Sequence, residues 1–182
     1  MREPGLRFHP AANLFPPMSA DEYAALKADI SEHGILEAVW ICSGLLLDGR
    51  HRWRACVELG LDCPTREYHG DNPLAFVISM NMNRRHLSES QRALVAARLA
   101  TMPVGNPNFS YSADLRNSVT QPQAAAMLNV SERLLQGAVA ILREAPELAD
   151  TISRGDKTVT QVLREIKHQE RPSVALPTTG KY

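Results

Sequence analysis

Residues 45–56 read Leu45-Leu46-Leu47-Asp48-Gly49-Arg50-His51-Arg52-Trp53-Arg54-Ala55-Cys56, and the fold turns on how this stretch divides. Three consecutive leucines read as a buried strand, Asp48-Gly49 as a tight turn, and the remainder as the first turns of a helix. Gly49 tolerates a positive φ and lets the backbone approach a ligand closely. The first N–H groups of a helix have no partners inside it, and the helix dipole favours an anion there. Arg50, His51, Arg52 and Arg54 crowd cationic donors around the same end, a placement that is unfavourable unless something negative binds. A phosphate-bearing ligand is the expectation. The plainer alternative is a solvated basic face, because a glycine followed by arginines is a common string.

The chain on either side fits the same division. Residues 1–18 are punctuated by prolines and are expected to be extended. Ser19 or Asp21 can cap a helix whose buried stripe is Tyr23, Leu26 and Ile30, ended by Gly34 in a left-handed cap. A strand over Ile35–Ile41 turns at Ser43-Gly44 into Leu45–Leu47, making a hairpin. The Arg50–Leu59 helix closes at Gly60, Thr65–Tyr68 gives another short strand, and Asp71-Asn72-Pro73 opens a helix over Leu74–Asn83.

Ser88 and Gln91 have capping-box spacing and start a long helix with Leu94, Val95, Ala97 and Leu99 on its buried side. Residues 103–119 are rich in Gly, Pro, Asn and Ser and lack periodicity, as a mobile loop would. Thr120–Leu128 then reads as a short helix, Asn129-Val130 as a turn, and Ser131 as the cap of a helix through Leu142. Alanines at packing positions and an apolar turn residue match a helix-turn-helix. Gln121, Ser131, Arg133 and Gln136 are the residues expected to face DNA; the plainer alternative is an ordinary helical hairpin. Two further helices are expected over Pro146–Ile152 and Val159–Ile166. The acidic Glu144, Glu147 and Asp150 belong off a DNA face, and Arg84-Arg85-His86 reads equally as a basic extension or a solvated helix end.

Composition limits the function classes. With 182 residues the chain makes one domain or two small ones, and 20 basic against 20 acidic residues leave no global field to attract nucleic acid. Any binding to phosphate must come from local patches. Cys42, Cys56 and Cys63 show neither CxxC nor a paired histidine spacing, which argues against zinc and against a disulfide framework and for a reducing cytosol. His9, His33, His69 and His168 lack ligand spacing and are expected in loops or at the surface. No apolar run reaches membrane-spanning length and the first residues do not open a signal peptide, so a cytoplasmic protein with no membrane partner is expected.

From about His9 to Ile166 the order of parts resembles the ParB/sulfiredoxin superfamily, and within it the ParB-like nuclease-domain proteins that carry a helix-turn-helix. Residues 14–41, "LFPPMSADEYAALKADISEHGILEAVWI", look like the family's opening helix, glycine and strand. "LLLDGRHRWRAC" resembles its phosphate-binding GERRxRA box, and "MNMNRRHLSES" (residues 80–90) its ENxxRxxLxxxE box. The resemblance implies an α+β fold, with a small mixed sheet and helices over residues 1–87. An all-α DNA-binding domain over 88–170 would follow, with its helix-turn-helix at about 120–142, and then a disordered tail over 171–182. It further implies a pocket for a nucleoside triphosphate of CTP or ATP type at Gly49, Arg50, His51, Arg52 and Arg54, completed by Asn81 and Arg84.

Three departures bear on activity. Relatives that bind cytidine triphosphate use a glutamate, an asparagine and an arginine of the last box for magnesium and phosphates; Met80 stands in the glutamate's place, and a thioether is no ligand for a hard cation. No metal site is assigned, and the usual magnesium-dependent hydrolysis is not expected. Sulfiredoxin has a nucleophilic cysteine where this chain has Arg50, so no thiol chemistry carries over. The partition proteins' C-terminal dimerisation domain and basic leader have no room here, so a full centromere-clamp role is not expected.

The function expected is a DNA-binding regulator or accessory factor of a plasmid, phage or other mobile element, with DNA and a nucleotide as partners and a homodimer on helix-turn-helix precedent. The alternative is a nuclease or nucleoside triphosphatase with His51 as acid or base. An adaptor whose helices bind protein is a third reading.

Overall fold

A computed structural model of the chain describes residues 6–84, 87–102 and 119–169, with the side chains of residues 83 and 84 also outside the description. The loop expected over 103–119, Val119 apart, and the tail over 171–182 fall outside these residues, as do Arg85 and His86.

The architecture is α+β, with a three-stranded mixed sheet in the order β2-β1-β3. β1 (Val39–Cys42) pairs antiparallel with β2 (Leu45–Asp48), with Ile41 opposite Leu46 and a bulge between Trp40 and Ile41. It pairs parallel with β3 (Thr65–Glu67), Val39 opposite Thr65. Leu46 and Leu47 are fully buried, and burial of each is worth about 1.5–3 kcal/mol, which is why the leucine run forms the strand it suggests. The strand expected from Ile35 begins only at Val39. The first ladder bond, Val39 N–H to the Pro64 carbonyl at 2.9 Å, is made where the neighbouring strand arrives, and residues 35–38 precede it.

The N-terminal segment joins the other edge of the sheet. His9 N–H donates to the Leu46 carbonyl at 2.9 Å and Leu46 N–H to the Arg7 carbonyl at 2.8 Å. Residues Pro10–Asn13 are not extended but form a 3-10 turn, because His9 Nδ1 accepts the Ala11 N–H at 3.0 Å and caps it. His9 lies in a loop, one of the two places expected for it, but as a core residue, 1% exposed, and not at the surface.

Helix α1 (Ala20–His33) opens with a reciprocal capping box between Ser19 and Glu22. α2 (Arg50–Leu59) follows Gly49 and ends at Gly60, and α3 is Pro73–Arg84. α4 (Glu89–Ala100) has the expected Ser88–Gln91 box and a side lined by Leu94, Val95, Ala97 and Leu99, all buried. It packs against α5 (Gln121–Met127), α6 (Glu132–Glu144), α7 (Ala149–Arg154) and α8 (Val159–Gln169). The helix expected from Pro146 begins as a 3-10 turn over Pro146–Leu148 before α7. Among the described residues three apolar clusters hold these parts. One joins Leu47, Leu74 and Val77 to Val95, Leu99, Leu128 and Leu135; a second groups Leu94, Ala138, Ile141, Ile152, Val159 and Val162; and a third, Ile30, Ala55 and Cys56, packs α1 on α2.

Candidate functional site

The turn between β2 and α2 is built on Gly49. Its φ of +95° is a left-handed conformation, and a Cβ placed there would lie 2.8 Å from Val39 Cγ1 and 3.0 Å from an Arg52 guanidinium nitrogen. Only glycine fits on both counts. Gly49 is also the N-cap of α2 and, having no side chain, offers no cap, whereas Ser19, Ser88, Thr120 and Ser131 each cap their helices. The first turn of α2 borders a cavity of about 360 Å³. Its lining combines polar groups, on Asp48, Arg50, His51, Arg52 and Asn81 with the Gly49 backbone, and apolar ones, on Phe15, Met18, Leu26, Ile30 and Ile35.

The guanidinium groups do not stand open before this cavity, as the sequence led us to expect. Arg50 donates to the carbonyls of Ala12 and Phe15 at 3.1 and 3.0 Å and to Asn13 Oδ1 at 3.2 Å, pinning the N-terminal segment onto α2. Arg52 bridges two carboxylates, Glu37 and, at 3.3 Å, Asp48. Asp48 also accepts from Asn81 Nδ2 at 3.1 Å, and the same amide nitrogen donates to the Val77 carbonyl at 2.9 Å. With Asp29, Glu37 and Asp48 beside Arg50 and Arg52, the lining carries both signs of charge. His51 Nε2 accepts the Met18 N–H at 3.3 Å, so its proton sits on Nδ1 when the ring is neutral.

Gly49, Arg50, His51, Arg52 and Asn81 are therefore brought together. Arg54 is not among them: it pairs with Glu58 at 2.7 Å and stacks 4.6 Å from the centroid of the Tyr23 ring, bracing α2 on α1. Lys27 and Arg54 together hold the Glu58 carboxyl down at about 2. Arg84 ends α3, and its side chain lies outside the described residues. Glu37, Asp48 and the apolar side chains of the lining are not among the site residues expected from the sequence. Asp48 was visible beside Gly49 as a lone acidic residue, whereas nothing local to Glu37 marks it.

In the helical half, α5 and α6 are joined by a short turn in which Asn129 has a φ of +50°. Gln121 is the first residue of α5, and the Ser131 hydroxyl is committed to the cap of α6, accepting the Leu134 N–H at 3.3 Å. Arg133 and Gln136 are exposed on α6.

The resemblance implies a magnesium ion here, but the residues present do not fit one: the oxygens of Asp48 already accept from Asn81 and from Arg52, a cation itself. Among the described residues no three His, Cys, Asp or Glu side chains are grouped as a metal site.

No family model matches the sequence, and no curated protein matches it. Solved structures do. The chain is similar to a Pnob8-like ParB-N domain, with 17% identity and a TM-score of 0.51 over 89% of this chain and 76% of that one. It also aligns with C-terminally truncated chromosome-partitioning protein ParB from Caulobacter crescentus. The form complexed with CTP-gamma-S has 20% identity and a TM-score of 0.38 over 83% and 81% of the two chains. The form complexed to the centromeric parS site has 16% identity and a TM-score of 0.43 over 92% and 90%. The fold is ParB-like. No described helix is long and apolar enough to cross a membrane.

Proposed function

We propose that this chain is a ParB-like DNA-binding protein whose N-terminal cavity takes a nucleoside triphosphate, a regulator or accessory factor of a mobile element acting in the cytoplasm as a homodimer. The observation that carries the nucleotide half is the cavity at the start of α2, where no side chain caps the helix and the lining is both polar and apolar. The apolar side chains of Phe15, Met18, Leu26, Ile30 and Ile35 in its lining suit a base and sugar, while the first N–H groups of α2, with Arg52 and Asn81, suit phosphate oxygens. The resemblance of residues 45–56 to the phosphate-binding box, with Arg50 where the box usually has glutamate and His51 where it has arginine, supports the same assignment. Arg50 acts through the N-terminal segment it pins, and Arg84 is assigned from the box alone.

The DNA half rests on α5 and α6, with Arg133 and Gln136 exposed on the second helix and Gln121 and Ser131 at the starts of the two. Arg133 and Gln136 are the groups assigned to base edges or phosphates in a major groove.

Calorimetric titration with CTP and ATP tests the cavity. Arg52→Ala is expected to cost roughly tenfold or more in nucleotide affinity, the loss of one charge-assisted contact. Unchanged affinity removes the pocket assignment. Turnover of CTP or DNA that His51→Ala abolishes would make the chain an enzyme instead.

A further inference from the structure

Arg52 already holds two carboxylates, and they are not equally fixed. Asp48 ends a paired strand, its side chain is 13% exposed, and Asn81 holds one of its oxygens. Glu37 lies in the segment 35–38 ahead of the β1 ladder, and its side chain is 55% exposed while that of Arg52 is 14% exposed. That segment leaves α1 through Gly34, at a φ of +75°; Ile35 packs against the Ile30, Ala55 and Cys56 cluster, whereas Leu36, beside Glu37, is 84% exposed.

We propose that Glu37 is a built-in competitor for the phosphate seat of this cavity, occupying Arg52 until a polyanionic ligand displaces it. The inference rests on the nucleotide reading above. Carboxylate and phosphate oxygens use the same guanidinium donors, so the Glu37 carboxylate marks where a phosphate oxygen would sit. Asp48 takes one terminal nitrogen of the enclosed Arg52 guanidinium and Glu37 the other, so Glu37 fills the second donor when no ligand is bound. Glu37 also lines the cavity, so its departure widens it. The exchange replaces one anion by another on Arg52 and leaves Asp48 and Asn81 in place. The ligand class that follows is a di- or triphosphate, which brings enough charge and oxygens to take Arg52 and the α2 N–H groups together. A nucleoside lacking phosphate has no claim on the seat.

The test is calorimetric titration of CTP, sodium tripolyphosphate and cytidine into the wild-type chain, Glu37→Gln, Glu37→Asp and Asp29→Asn. Glu37→Asp keeps the charge but shortens the reach; Asp29→Asn removes a cavity-lining charge that is not on Arg52. Both Glu37 variants are expected to bind CTP and tripolyphosphate up to about fivefold tighter, the worth of a partly exposed ion pair. Cytidine binding is expected to stay within twofold of wild type, and Asp29→Asn to tighten the phosphate ligands less than Glu37→Gln does, since its carboxylate is not on Arg52. If CTP binds all four proteins alike, or if Asp29→Asn tightens as much as Glu37→Gln, the competitor role is overturned and the nucleotide reading stands. Failure of every protein to bind CTP or tripolyphosphate overturns both.

Discussion

Asn81 donates from Nδ2 to Asp48 Oδ1 at 3.1 Å, tying the middle of α3 to the end of the strand that delivers Gly49. The same amide nitrogen is anchored on the Val77 carbonyl, so the contact fixes Asp48, and Asp48 in turn orients Arg52. Asn81→Ala is expected to lower stability by about 1 kcal/mol, the net worth of a partly buried hydrogen bond, and to weaken CTP binding as Arg52 loses its alignment. Denaturant unfolding and calorimetry on the same preparation read both effects.

Arg50 behaves as a brace. Three acceptors on the N-terminal segment share its guanidinium, two of them carbonyls with no charge to offer. Arg50→Ala is expected to cost about 1–3 kcal/mol of stability by leaving carbonyls without their donor. Arg50→Lys is expected to rescue little of this, since an ammonium cannot reach several acceptors with one planar fork. Urea melts of the two variants, which should fall close together and well below wild type, check it.

Burial holds the His9 imidazole well below the usual histidine range, at about 4. The unfolded chain protonates near the ordinary value of about 6.5 while the folded one does not, so between these values the unfolded state binds more protons. Stability is therefore full above about pH 6.5 and falls as the solution is acidified towards about 4, by an amount on the order of 2–3 kcal/mol. In His9→Asn, which keeps a capping acceptor but does not titrate, melting temperature is expected to lose its dependence on pH across that window, measured by circular dichroism.

Gly137 lies where α6 meets α8. A Cβ there would stand 2.9 Å from Leu163 Cδ1 and 3.1 Å from Val159 Cγ1. Alanine gains about 1 kcal/mol in helix propensity, yet overpacking a tight contact costs about 1–3 kcal/mol. Gly137→Ala is expected to be net destabilising, and Gly137→Ala combined with Leu163→Ala to recover part of the loss. Thermal melts of the single and double variants decide this.

Arg133→Ala is expected to reduce DNA affinity and, if its contact is to phosphate, to lower the slope of affinity against salt by about one. Fluorescence anisotropy with a labelled duplex at several salt concentrations measures both. An unchanged titration curve places α6 away from DNA.

How far the sequence could be read follows the range of the interactions. The leucine run, Gly49 and the Ser88–Gln91 box are settled within a few residues of chain, and each formed where the residues put it. The destinations of the arginines were hidden because their partners are distant along the chain: Glu37 lies 15 residues before Arg52, and Phe15 lies 35 before Arg50. Charge at a helix start suggested an external anion, and the fold supplied internal acceptors first. His9 carries no periodic signal either; its burial depends on an edge pairing with Leu46 that only the assembled sheet reveals.

The apolar cluster that runs from Leu47 through Val95 to Leu128 and Leu135 has a mechanical consequence. Scission between residues 87 and 88 would strip both fragments of half their shared interior, leaving sticky faces that aggregate. Heating the intact protein should therefore give a single calorimetric peak, sheet and helices melting together.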